Sequence, residues 1–108
     1  MRFAKKSLGQ NFLIDKNVIR KIINLVNVKN KNVIEIGPGK GALTDEILKR
    51  KPKTFTLIEK DSNLFEELKI KYSNCKNIKL IKSDILKFDL EKKIFKNSVI
   101  FGNLPYNI

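Results

Sequence analysis

Apolar positions recur along the chain with two alternating periods. Asp15-Lys16-Asn17 can cap a helix, and Val18, Ile19, Ile22, Ile23 and Val26 follow at helical spacing, which predicts a helix over 17–27. Asn27 to Asn32 is polar and turn-like. Val33-Ile34-Glu35-Ile36 is a short β-branched run that stops at Gly37-Pro38-Gly39-Lys40-Gly41. Ala42, Leu43, Ile47 and Leu48 then read as a helix that ends near Lys49-Arg50-Lys51, with Pro52 beyond it. Thr54 to Ile58 is a second strand, followed by Glu59-Lys60-Asp61. Leu64, Phe65, Leu68 and Tyr72 return to the helical period. Ile78 to Ile81 is a third strand ending at Ser83-Asp84, and a loop or short helix covers Leu86 to Phe95. Ser98-Val99-Ile100-Phe101 is a fourth strand, leading into Gly102-Asn103-Leu104-Pro105-Tyr106.

Short apolar strands alternating with amphipathic helices predict an α/β fold. The expected form is a Rossmann-like parallel sheet of about four strands with right-handed crossovers. The helix at 17–27 is an N-terminal helical addition. The pattern contains no internal repeat, linker or second domain. Parallel sheets need cover on both faces, and no predicted helix follows the fourth strand. The expectation is therefore that residues 1–108 form the N-terminal part of one larger domain, with the sheet incomplete.

Composition narrows the chemistry. The 108 residues include 23 Lys+Arg against 11 Asp+Glu, a net charge of +12, with no His and one Cys. Without imidazole, and with Cys75 alone, there is no Ser-His-Asp triad, Cys/His pair, disulfide framework or ordinary metal-ligand cluster. No apolar run is long enough to cross a bilayer. The basic start, Met1 to Lys6, runs into polar Ser7 to Asn11 rather than the apolar core of a signal peptide. A cytoplasmic protein with no membrane and no metal partner is expected. The positive charge has two readings, a solvated Lys-rich surface and a polyanion-binding face. All but three of the basic residues are Lys, as AT-rich codons alone would favour.

Four features carry chemistry. Gly37-x-Gly39-x-Gly41 lies at a strand-to-helix turn, where glycines let a cofactor approach the backbone; it departs from the dinucleotide pattern G-x-G-x-x-G. Glu59 ends the second strand, where a carboxylate can accept hydrogen bonds from both ribose hydroxyls of an adenosine cofactor. Its plainer reading is a solvated acid in a charged loop. Asp84 ends the third strand on the same crevice, facing an adenine amino group, with Ile85 packed on the ring; as a plainer alternative it shapes the turn. Three acids around one pocket, Glu35, Glu59 and Asp84, suit the sulfonium of S-adenosylmethionine better than the pyrophosphate of a nicotinamide dinucleotide. Last, Asn103-Leu104-Pro105-Tyr106 follows the fourth strand. An exocyclic adenine amine is a poor nucleophile, because its lone pair is delocalised into the ring. The Asn103 side-chain carbonyl and a backbone carbonyl near Leu104 can accept its two hydrogens and localise that pair, while Tyr106 stacks on the base.

Asn103-Leu104-Pro105-Tyr106 resembles the catalytic motif of the rRNA adenine N6,N6-dimethyltransferases. Glu35 to Thr44 is similar to that family's cofactor-binding turn, and Lys6-Ser7-Leu8-Gly9-Gln10-Asn11-Phe12-Leu13 to its N-terminal segment. The resemblance implies that the chain is the N-terminal part of a methyltransferase catalytic domain with S-adenosylmethionine as cofactor. It implies that Asn11 and Leu13 contact the methionine and adenosyl portions and that Gly37 lies against the methionyl group. Glu59 would hold the ribose, Asp84 the adenine amine, and Asn103 both cofactor and target amine. It further implies dimethylation of two adjacent adenines in the terminal hairpin of small-subunit rRNA, by a protein that is monomeric when full length. Leu104 resembles the housekeeping branch; the erythromycin-resistance methylases of large-subunit rRNA more often carry Ile there. A non-catalytic ribosome-assembly or transcription factor on the same fold, and a nicotinamide-dependent oxidoreductase, are the competing readings.

Overall fold

A computed structural model describes residues 16–87 and 96–102. The elements follow the predicted order: α1 (Lys16–Ile23), β1 (Asn32–Ile36), α2 (Ala42–Lys49), β2 (Thr54–Glu59), α3 (Ser62–Lys71), β3 (Ile78–Lys82), a one-turn 3₁₀ helix (Ile85–Lys87) and β4 (Ser98–Gly102). Helix α1 is shorter than the predicted 17–27. It stops at Ile23, where the Leu25 N–H donates to Ile22 O at 3.1 Å and a turn over 24–26 carries the chain to the buried Val28; Val26 packs against the same core from that turn.

All strand pairs are parallel, in the order β3-β2-β1-β4. The β-branched and aromatic content of Val33-Ile34 and Phe55-Thr56 suits a pleated surface buried on both sides, whereas in β4 Phe101 is buried and Ile100 exposed. Alternate residues separate into two cores. Val33, Phe55, Leu57 and Phe101 join Ile19 and Ile23 of α1, Leu43 and Ile47 of α2, and Leu68 and Tyr72 at α3. All three helices therefore cover one face. On the other face Ile34, Ile36 and Ile58 cluster, with Ile81 and Ile85 packed against them. Fully burying one such Ile, Leu or Phe side chain contributes roughly 1.5–3 kcal/mol, so these two clusters are the main hold on the sheet.

The helix ends have identifiable causes. Asp61 caps α3, its carboxylate accepting the Leu64 N–H at 2.9 Å. Helix α2 has no side-chain cap; it starts at Gly41, in the left-handed region at φ 92°. Its basic last turn, with Lys49, faces the negative end of the helix dipole.

Candidate functional site

The strand order reverses at β1. The chain steps outward from β1 to β2 to β3, then returns to place β4 on the other side of β1. Ligands of open α/β sheets bind at such a switch point, in the crevice beyond the carboxyl ends of the strands. The register levels those ends. Gly37 N–H donates to Ile58 O at 2.9 Å and Ser83 N–H to Glu59 O at 3.0 Å, extending both ladders by one step. Ile36 pairs with Gly102. The glycine turn, Glu59 and Ser83-Asp84 thus come to one edge, with Gly102 at the end of β4. Asn103, Leu104, Pro105 and Tyr106 follow Gly102 in sequence, and they lie outside the described residues, as do Asn11 and Leu13.

Glu59 is not a solvated loop acid. It is 6 % exposed, and its carboxylate works locally. One oxygen accepts the Gly39 N–H at 3.3 Å, and the other accepts the Asp61 N–H at 3.0 Å. A carboxylate offers about four lone-pair sites, so two remain for further donors. Glu59 therefore reaches from β2 to the turn after β1 and keeps acceptor capacity at the crevice.

The glycines differ in what they do. Gly39, at φ 61°, has nothing within 4 Å of where a Cβ would stand, so its surface opens outward. A Cβ on Gly41 would collide with the Tyr72 hydroxyl. Gly39 is thus free to meet a ligand, whereas Gly41 is needed for close packing as well as for its backbone angle.

A polar clamp from the end of α3 holds this turn from behind. The Tyr72 hydroxyl lies 2.7 Å from Asp45 Oδ1 and 3.3 Å from Gly41 O. Lys71 Nζ donates to Lys40 O at 2.9 Å and to Asp45 Oδ2 at 3.0 Å, and sits 5.3 Å from the centre of the Tyr72 ring. With one proton, the Tyr72 hydroxyl donates to one acceptor at a time, and the charged, shorter partner Asp45 is favoured. Burial first, then its bonding to Asp45, pushes the Tyr72 phenol well above its usual range. It stays a donor at every physiological pH. Lys71, Tyr72 and Asp45 carry no motif signature; their one sequence signal is Tyr72, placed by helical spacing among core positions.

Glu35 departs from the expected acid cluster. It sits inside β1, 2 % exposed, and accepts the Thr44 hydroxyl at 2.5 Å. Burial raises its pKa to about 7; the Thr44 bond opposes that rise, and the charges of Asp45 and Glu59 add to it. At neutral pH it is a partly protonated strut between β1 and α2 rather than a full negative charge at the crevice. The negative groups at the edge itself are Glu59, Asp61 and Asp84, interleaved with Lys40, Lys60 and Lys82. Asp84 is half-buried and its carbonyl accepts the Lys87 N–H at 2.9 Å, which closes the one-turn helix that sets Ile85 against the second core. Among the described residues there is no grouping of metal-ligating side chains, and no helix long and apolar enough to cross a membrane.

The ribosomal RNA adenine dimethylase model matches residues 1–108. A ribosomal RNA small subunit methyltransferase A of Pelagibacter ubique is 51% identical over 105 residues, which cover 97% of this chain and 39% of that protein. The protein of the same description from a Sulfurihydrogenibium species is 50% identical over 107 residues, covering 96% and 42%. The chain thus spans about two fifths of the length of these curated relatives. Among solved structures, a dimethyladenosine transferase from Plasmodium falciparum superposes with a TM-score of 0.73 at 30% identity, over 87% of this chain and 34% of that one. The 23S rRNA methyltransferase ErmE gives 0.61 at 30% identity, over 69% and 31%.

Proposed function

Because this chain belongs to the ribosomal RNA adenine dimethylase family, we propose that it provides the cofactor site of an enzyme that dimethylates adenine N6 in small-subunit rRNA, using S-adenosylmethionine. The observation that carries the reading is the Glu59 carboxylate, buried at the switch point and bonded to the glycine turn. The relatives named above, described as small-subunit rRNA methyltransferases, supply the substrate class.

The residues present fit that cofactor. Gly39 borders open space that a Cβ would narrow, Glu59 keeps acceptor sites for two ribose hydroxyls, and Asp84 can accept from an adenine amino group. Gly37 would lie beside the methionyl end, and Ile85 would offer an apolar surface to the adenine ring. Asn11 and Leu13 are assigned the closing contacts over the cofactor. When bound, S-adenosylmethionine supplies an electrophilic methyl group on a sulfonium that leaves as a neutral thioether.

Asn103 and a backbone carbonyl near Leu104 accept the two N6 hydrogens of the target adenine and turn its lone pair out of the ring plane. The methyl group that S-adenosylmethionine would supply would bond to N6 as its bond to sulfur breaks, the excess N6 proton passing to water. Tyr106 would stack on the base. No group with a pKa near 7 is required in the catalytic loop, which agrees with the absence of His. In-line positioning supplies much of the rate.

The test is transfer of labelled methyl groups by the full-length protein to unmethylated ribosomal subunits. Label in the small-subunit RNA is the expected result. Label in the large-subunit RNA would move the protein to the resistance-type activity, and cofactor binding without transfer would make it a non-catalytic factor.

A further inference from the structure

Charge is segregated between the two edges of the sheet. The segments that lead into the strands carry Lys29 and Lys31 before β1, Arg50, Lys51 and Lys53 before β2, Lys76 before β3, and Lys96 before β4. Residues 24–31, 50–53, 72–77 and 96–97 contain no Asp or Glu at all. At the opposite edge, Lys40, Lys60 and Lys82 are interleaved with Glu59, Asp61 and Asp84. Codon bias would scatter Lys over the surface; it would not clear these four described segments of carboxylates.

The folding of these segments holds the cations together. Asn30 N–H donates to Lys51 O at 3.1 Å, and Lys53 N–H to Lys31 O at 2.8 Å, so the approaches to β1 and β2 are stitched side by side. Asn30, Lys51 and Asn97 all take left-handed angles, at φ 60°, 55° and 59°. With strands about 4.8 Å apart, the row from Lys76 to Lys96 spans roughly 14 Å. All seven side chains are exposed, and neither the Lys49–Glu46 nor the Lys71–Asp45 ion pair uses any of them. A depression of about 370 Å³ lies between Lys29, Lys49, Arg50 and Lys51. Another of about 260 Å³ is bordered by Lys96, Asn32, Thr54 and Ser98. The local field is already felt by Glu46, whose carboxyl is held low by the Lys49 hydrogen bond first and by Arg50 and Arg20 in addition.

We propose that this edge, where the strands begin, is a second RNA-contact surface that grips backbone phosphates at the end of the sheet opposite the cofactor crevice. The proposal rests on the reading of rRNA as substrate, and on charge complementarity between a row of exposed cations and a polyanion. Lys-rich contacts of this kind position an RNA without reading its sequence.

The test uses the full-length protein with Lys29→Gln, Lys31→Gln, Lys51→Gln and Lys53→Gln combined. A control variant removes the same charge elsewhere, through Lys16→Gln, Lys21→Gln, Lys69→Gln and Lys79→Gln. Affinity for unmethylated small ribosomal subunits is measured from 50 to 300 mM salt, with S-adenosylmethionine affinity read on the same samples. The edge variant should bind subunits about tenfold or more weakly, with a log–log salt slope flatter by about 3. Its cofactor affinity should equal that of the parent. An edge variant with the parent's slope, or a control variant with the same loss, overturns the proposal. So does a loss confined to vesicles of anionic phospholipid. Absence of methyl transfer by the parent, with the slope difference intact, would strike the proposed reaction and still support this surface.

Discussion

The Glu59 carboxylate accepts the Gly39 N–H at 3.3 Å, so the end of β2 is tied to the glycine turn that follows β1. Two segments 20 residues apart in sequence thereby become one wall of a crevice. The bond also defines the direction of the remaining Glu59 acceptor sites, which makes the site more than a glycine turn with an acid nearby.

Glu35 makes stability depend on pH. Its folded pKa of about 7 lies above the ordinary 4.5, so between these values the folded state holds a proton that the unfolded state has lost. Stability from this group is complete below about pH 4.5 and is lost as pH rises through about 7. The full span corresponds to roughly 3 kcal/mol. Glu35→Gln keeps an acceptor for Thr44 and removes the titration. Denaturant unfolding of the full-length protein should find the variant more stable than the parent at pH 8, with the difference shrinking toward pH 5.

Gly41 and Tyr72 should behave as a coupled pair. Gly41→Ala introduces a Cβ that meets the Tyr72 hydroxyl and strains a backbone at φ 92°, so a loss of about 2 kcal/mol or more is expected. Tyr72→Phe removes the hydroxyl bond to Asp45 and should cost about 1–2 kcal/mol alone. In the double variant the collision is relieved, so the combined loss should fall short of the sum. A thermal-unfolding double-mutant cycle reads that shortfall, and simple additivity would refute the contact.

Asn103→Ala should lower methyl transfer about 100-fold or more while leaving the unfolding midpoint and far-UV circular dichroism unchanged. Single-turnover kinetics with saturating cofactor isolates the chemical step. Near-normal turnover would remove Asn103 from the role of amine acceptor.

The fold was legible because its signals are local. β-branched runs ending in glycine or in acids, and helical spacing of Ile and Leu, place every described strand and helix in order. The predicted end of α1 overruns the observed one because Val26 keeps the helical period, although it reaches the same core from a turn. The Glu59 position was legible by its distance from Gly37. Its burial was not, because the neighbouring Lys60 and Asp61 read as a solvated loop, and Asp61 is in fact the cap of α3. Glu35 looked like one more crevice acid. Strand alternation turns it to the helical face, where Thr44, nine residues on, meets it. The clamp of Lys71 and Tyr72 on Lys40, Gly41 and Asp45 joins residues 26 to 31 apart, and no local pattern marks such a pair.

The central claim is that this crevice is built for S-adenosylmethionine, with Glu59 holding the ribose. Calorimetric titration of the full-length protein with S-adenosylmethionine and with NAD, in the parent and in Glu59→Gln, tests it most directly. The account predicts binding of S-adenosylmethionine and no comparable binding of NAD, with the cofactor bound about 30-fold more weakly by Glu59→Gln, roughly 2 kcal/mol. Preferential NAD binding, or an unchanged affinity in Glu59→Gln, would contradict it.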